Sequence, residues 1–109
     1  MQSGSHNVSQ KLHHILGLSR AMLSLAHQRD WGAVDTKEQE RRRQLETLFS
    51  KGPPTTISRS SLLKGMNAIQ VLDQQIVLAA EVARTELANK ISALNLSRYA
   101  QQEYRRNAN

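Results

Sequence analysis

Apolar residues recur at steps of three and four along most of the chain, a spacing that places them on one side of an α-helix. No segment alternates apolar and polar residues in the way that a half-buried strand requires. The spacing predicts helices over about residues 7–27, 30–51 and 58–95, with Asp30 capping the second helix and Ser58 the third. Gly52, Pro53 and Pro54 separate the second helix from the third, because glycine favours a helix end and proline prevents continuation.

The pattern predicts an all-α fold: an antiparallel three-helix bundle with one long helix and a short C-terminal fourth helix. Asn95 is expected to end the long helix and Ser97 to cap the short one. We assign residues 7–95 to the bundle and residues 96–109 to the short helix and tail. The polar residues 1–6 are expected to be disordered or a remnant of cloning.

The long third helix carries more apolar residues than one side can hold. Its main stripe comprises Leu62, Met66, Ile69, Leu72, Ile76, Ala80, Ala83, Leu87, Ile91 and Leu94. A second stripe, roughly opposite, comprises Val71, Leu78 and Val82, and Leu63 and Val77 widen it. In the first helix, Leu18 and Leu25 also lie off the main stripe. A helix that is apolar on several sides is buried or bound by a partner, so we expect uncovered apolar surface in the isolated chain.

Three arrangements of this surplus surface remain open at the level of sequence. In the first, a tight three-helix core and the C-terminal tail cover it. In the second, it forms a groove that accepts an amphipathic helix from a partner. In the third, two copies of the chain associate through the long helix as a homodimer.

Charged residues interrupt the apolar side of the second helix for two turns. Glu38, Arg41 and Arg42 occupy this gap, and Asp73 lies at the edge of the main stripe of the third helix. One interpretation is that Glu38 pairs with Arg41 or Arg42 inside the bundle as a structural ion pair, which Asp73 joins. The other is a set of ordinary exposed pairs, worth about 0.3–0.5 kcal/mol each.

Composition narrows the possible functions. The 109 residues suit one domain, and the absence of cysteine excludes disulfides and thiolate zinc sites. No apolar run approaches the roughly 18–20 residues needed to cross a bilayer, and no signal peptide is visible, so we expect a cytoplasmic protein without a membrane partner. His13 and His14 are adjacent and cannot share a metal ion, and no nucleophile–base pair or phosphate loop occurs. We therefore predict a non-enzyme that needs no metal or cofactor.

The net charge of +6 raises the prospect of an acidic or nucleic-acid partner. The run Arg41-Arg42-Arg43 has no interleaved aromatic residues and no helix-turn-helix signature, so direct binding of nucleic acid is not expected. A small basic nucleic-acid-binding protein and a purely structural helical dimerisation protein remain the alternatives to a partner-binding protein.

Several segments, taken in order, resemble the FliT family of flagellar export chaperones from about Val8 to Tyr104. They are Leu18-Ser19-Arg20-Ala21-Met22-Leu23-Ser24-Leu25-Ala26 followed by Asp30-Trp31, the spacing Trp31, Glu38, Arg41, Leu45, Leu48, Phe49, the linker Pro53-Pro54 with Ile57-Ser58-Arg59-Ser60, the motif Leu72-Asp73-Gln74-Gln75-Ile76, and the closing residues 100–104. Lys37 and Gln44 stand where the family usually has apolar residues, and Gly32 replaces an acidic one. These departures concern how fully the second helix is buried.

The resemblance implies a chaperone that binds the flagellar filament-cap protein in the cytoplasm and escorts clients to the flagellar export ATPase complex. Some members of the family also bind the FlhC subunit of the flagellar master regulator, and this binding represses transcription. The resemblance places the client groove on the long helix, with Ile69, Leu72, Ile76 and Val77 on one flank and Leu78 and Val82, beside Val71, on another. It gives the C-terminal tail a gating role, carried by Leu96, Tyr99, Ala100 and Tyr104.

Overall fold

The computed structural model describes residues 3–108 and contains three α-helices within them. They are α1 (Ser3–His27), α2 (Trp31–Leu48) and α3 (Arg59–Asn107). The described residues form no strand, and the only bridge among them is an isolated one between Ser50 and Gly52. The all-helical class and the single long helix are therefore confirmed.

Local backbone rules explain where α1 and α2 meet. The chain leaves α1 at His27, and Arg29 takes the left-handed conformation with φ 64°. Asp30 then caps α2, because its Oδ1 accepts a hydrogen bond from the backbone N–H of Ala33 at 3.2 Å. This is the cap that the sequence predicts. By contrast, α1 begins at Ser3, earlier than predicted. The assignment of residues 1–6 to a disordered or cloning-derived segment stays a prediction, and residues 1 and 2 lie outside the described part.

The connection from α2 to α3 uses glycine and serine at its two ends. After α2 ends at Leu48, three residues before the predicted limit, Gly52 adopts φ 84°, a conformation that side chains other than glycine's rarely allow. Ser58 precedes α3, and its Oγ accepts a hydrogen bond from the backbone N–H of Ser61 at 3.1 Å. The predicted cap at Ser58 therefore forms.

The predicted short fourth helix is wrong, because α3 continues without a break from Arg59 to Asn107. Asn95 and Ser97 both lie inside it. Their preference for helix ends is worth only about 0.5–0.7 kcal/mol against alanine in a helix interior, which neighbouring residues easily outweigh. No glycine or proline follows Gly65, so nothing stronger interrupts the helix.

The chain divides into two compact units, Met1–Ala79 and Ala80–Asn109. The first unit contains two apolar clusters. One comprises Leu12, Ile15, Leu48 and Ile69, and the other comprises Met22, Ala26, Val34 and Ala79. The start of α1 therefore meets the end of α2, and α3 runs antiparallel to α2. Only Val34 and Leu48 of α2 are fully buried, which agrees with the polar residues noted in its sequence.

The buried side of α1 is wider than its main stripe. Leu18 is buried and Leu25 is half-buried against the second cluster, although the sequence placed both outside the core. The reason is that α1 contributes to both clusters and therefore contacts residues of α2 and α3 together.

The second unit consists of the remainder of α3. Ala80, Ala83 and Glu103 are half-buried, and every other described residue of this unit is exposed. Leu87, Ile91 and Leu94, predicted to continue the core stripe, are 59%, 49% and 59% exposed. Their helical spacing is the same as that of the core residues, but the two apolar clusters contain no residue beyond Ala79.

At Gly65, α1 and α3 approach each other more closely than a side chain allows. A Cβ atom at this position would lie 2.6 Å from Cδ2 and 3.0 Å from Cγ of Leu12. Leu12 is itself buried in the first cluster, so it has little room to move. The glycine therefore sets the separation of the two helices.

A polar link joins all three helices of the first unit. Arg41 Nη1 of α2 donates to Asp73 Oδ1 of α3 at 2.6 Å and to Ser19 Oγ of α1 at 3.1 Å. The Ser19 hydroxyl, fully buried, donates in turn to the carbonyl oxygen of Ile15 at 3.0 Å. The Arg41 side chain is only 11% exposed, so the ion pair is largely shielded from water on the arginine side. Glu38 and Arg42 instead pair with each other along the more exposed surface of α2.

Replacing Gly65 by alanine is expected to lower the free energy of unfolding by about 1–2 kcal/mol, since overpacking outweighs the gain in helix propensity. Gly17→Ala is the matched control: Gly17 is also inside a helix, but a Cβ there meets nothing within 4 Å. It should raise the free energy of unfolding by about 0.5–1 kcal/mol. Urea unfolding followed by circular dichroism measures both. Equal stabilisation by the two changes would contradict a required close contact.

Arg41→Met and Arg42→Met make the same change at neighbouring positions with different surroundings. We expect Arg41→Met to cost about 1.5–3 kcal/mol of unfolding free energy, because it removes charge-assisted hydrogen bonds to Asp73 and Ser19. We expect Arg42→Met to cost no more than about 0.5 kcal/mol, the value of an exposed pair one helical turn apart. Urea titration of both variants measures the contrast, and similar losses would argue against a stabilising role for the link.

Candidate partner-binding surface

Exposed apolar side chains are concentrated on one helix. Among the described residues, every large apolar side chain that is exposed belongs to α3. They are Leu63, Val71, Val77, Leu78, Val82, Leu87, Ile91, Leu94, Leu96, Tyr99 and Tyr104. Single exposed apolar residues are normal on proteins, but their collection on one element marks a surface that favours a partner.

A shallow pocket of about 420 Å³ lies on α3 within the first unit. Its lining residues follow the spacing of one helix side: Gln70, Asp73, Gln74, Val77 and Leu78. Val77 and Leu78, which are 55% and 59% exposed, make its walls mainly apolar. Because the Asp73 carboxylate is paired with Arg41 of α2, it marks the edge of the pocket nearest that helix. We call this feature the α3 pocket.

The structure divides the residues that the sequence assigned to partner binding. Ile69 is 5% exposed and lies in the first apolar cluster, so it contributes to the core, and its assignment to partner binding stays a prediction. Leu72 and Ile76 are half-buried, and Ile76 packs against the second cluster. Val77 and Leu78, predicted on different flanks, line the same pocket. Val71 is 52% exposed but does not line it.

The remaining predicted residues lie in the second unit, all on α3. Val82 is 52% exposed, and the tail residues Leu96, Tyr99 and Tyr104 are 69%, 62% and 77% exposed. Ala100 is exposed as well. Sequence reasoning placed the tail residues on a separate helix. In the structure they share the helix that carries the α3 pocket.

The described residues offer little to catalysis. They contain no group of three His, Asp or Glu side chains arranged to hold a metal ion. His14 Nε2 of α1 lies 3.6 Å from Glu40 Oε1 of α2. No buried side-chain polar atom among them lacks a hydrogen-bond partner. What the arrangement provides chemically is apolar surface with a few polar groups at its edge.

None of the three described helices is apolar over a stretch long enough to span a bilayer.

Comparison with known proteins agrees with the resemblance noted in the sequence. Neither the curated proteins nor the solved structures gave a match. A family model described as flagellar protein FliT matches residues 9–106, which include nearly all of α1, the whole of α2 and almost all of α3. With a match of this extent, the chain belongs to the FliT family of flagellar proteins.

Proposed function

We propose that this flagellar protein is an export chaperone that acts in the cytoplasm by covering an amphipathic segment of a client. The observation that carries the proposal is the α3 pocket, whose apolar walls Val77 and Leu78 are more than half exposed. An amphipathic helix from a client matches such a surface, since its apolar side removes these walls from water. Occlusion of that segment prevents the client from associating with itself before export.

Burial of Val77 and Leu78 alone is too weak for stable binding. Complete burial of a valine or leucine contributes about 1.5–3 kcal/mol, and the half-exposed side chains here contribute less. Association of two proteins costs at least about 4 kcal/mol in lost freedom of motion. The client must therefore cover more surface than the pocket, and the other exposed apolar residues of α3 are available for this.

The partners we propose follow from family membership. The client is the flagellar filament-cap protein, and a second partner is the flagellar export ATPase complex. Binding to the FlhC subunit of the master regulator would repress transcription through a protein partner, without direct contact with DNA. We further propose that residues 96–109 restrict client access in a conformation other than the continuous helix α3, with Leu96, Tyr99, Ala100 and Tyr104 as the responsible side chains. Their exposure leaves them available for such a role.

Val77→Glu is expected to weaken binding of the filament-cap protein by at least about tenfold, which corresponds to about 1.4 kcal/mol. A buried carboxylate without a partner opposes the contact that valine favours. Thr36→Glu is the control, since it adds the same charge at an exposed position of α2 that belongs to neither the pocket nor the apolar surface of α3. Isothermal titration calorimetry with both purified variants, after circular dichroism to check helicity, gives the comparison.

Equal losses for Val77→Glu and Thr36→Glu would show that the pocket is not the client surface. Two rival functions predict different results, which further measurements on the same variants would show. A nucleic-acid-binding protein would bind DNA with an affinity that falls steeply as salt rises. A purely structural dimer would show self-association in sedimentation that Val77→Glu abolishes, with no client binding in any variant.

A chain shortened to end at Asn95 is expected to bind the filament-cap protein about two- to tenfold more tightly, if the tail occupies the surface half to nine-tenths of the time. Calorimetry on the full and shortened chains measures this. The full-length double variant Tyr99→Ser with Tyr104→Ser should reproduce part of the gain without removing backbone. Unchanged affinity in both variants would rule out a gate.

A further inference from the structure

A second surface, separate from the α3 pocket, lies between α1 and α3. It is a cleft of about 320 Å³ that begins beside the close contact of Gly65 with Leu12. Leu12, Leu16 and Ala68 are buried or half-buried and form its floor. His13 of α1 and Lys64 of α3 are exposed and stand at its rim. The cleft therefore joins an apolar floor to basic edges.

The charge around this cleft is of one sign. Its lining residues lie within two segments, residues 9–16 and 57–68, and neither segment contains an aspartate or glutamate. The same segments carry Lys11, Arg59 and Lys64, of which Lys64 lines the cleft. The acidic residues of the chain begin at Asp30, continue through α2, and return at Asp73. A surface with cations and no carboxylates attracts an acidic partner and repels a basic one.

We propose that this cleft docks an amphipathic helix of another protein whose apolar residues are flanked by aspartate or glutamate. Apolar side chains of the partner would cover the floor at Leu16 and Ala68. Its carboxylates would lie beside Lys64, with which they form charge-assisted contacts, and beside the imidazole of His13. The proposal does not depend on the chaperone function, because the cleft and the α3 pocket share no lining residue.

This chain offers no such acidic helix from its own sequence. The C-terminal segment 96–107 contains three arginines and one acidic residue, Glu103. It is therefore positively charged like the cleft, which would repel it. In α2, which holds four of the nine acidic residues, Glu38 already pairs with Arg42 and Glu40 with His14. A second copy of the chain therefore fits the cleft less well than a different, acidic protein.

Nucleic acid suits the cleft less well than a protein helix. Single-stranded nucleic acid is bound through aromatic stacking together with a positive groove, and the cleft lining contains no phenylalanine, tyrosine or tryptophan. A phosphate backbone would use the basic rim but would gain nothing from the apolar floor. The combination of floor and rim therefore favours an amphipathic acidic segment.

The test uses the full chain and two synthetic helical peptides with the same apolar side, one flanked by glutamates and the other by lysines. Fluorescence anisotropy should show the acidic peptide binding at least about tenfold more tightly than the basic one. Lys64→Glu should weaken binding of the acidic peptide by at least about tenfold. Lys90→Glu, the same change on the same helix away from the cleft, should change this binding by less than about twofold. Val77→Glu should leave this binding unchanged.

Three results would overturn the proposal. Equal effects of Lys64→Glu and Lys90→Glu would mean attraction by net charge without a defined site. Loss of the acidic peptide in Val77→Glu would place it in the α3 pocket. Tighter binding of a DNA oligonucleotide than of the acidic peptide, lost in Lys64→Glu, would make the cleft a nucleic-acid surface. Since client binding is measured separately, failure here leaves the chaperone proposal standing.

Discussion

The close contact between Gly65 and Leu12 is the constraint on which the packing of the first unit depends. Leu12 fills the space that a side chain at position 65 would need, and this brings α1 and α3 to their observed separation. With that separation fixed, the guanidinium of Arg41 reaches both Ser19 and Asp73 within hydrogen-bond distance. Such contacts weaken steeply when atoms move by half an ångström, so the polar link depends on the apolar contact below it.

Local sequence rules predicted what local forces decide. Asp30 and Ser58 cap their helices because a short oxygen-bearing side chain satisfies free backbone N–H groups wherever the next residues are helical. The end of α3 was predicted wrongly for a related reason. Asn95 and Ser97 favour helix ends only weakly, and a run without glycine or proline continues through them.

Tertiary arrangement decided the rest of the fold and most of the candidate site. Leu18 is buried because α1 faces two helices, which a single stripe on a helical wheel does not reveal. Ile69 and Leu87 have equivalent spacing on α3, yet one is in the core and the other is exposed, since periodicity identifies a side of a helix but not what covers it. Likewise the sequence named Glu38, Arg41, Arg42 and Asp73 together but did not separate the inter-helix pair from the pair within α2.

The continuity of α3 has a consequence for how its backbone behaves in time. From Arg84 onward its described side chains are exposed apart from Glu103, so the backbone hydrogen bonds there are maintained mainly by residue preferences along the helix. Helix and coil interconvert within about a microsecond under such conditions, whereas residues packed in the first unit open only when that unit loosens. One uninterrupted helix thus contains a part that tertiary packing protects and a part that is stabilised only along its own length.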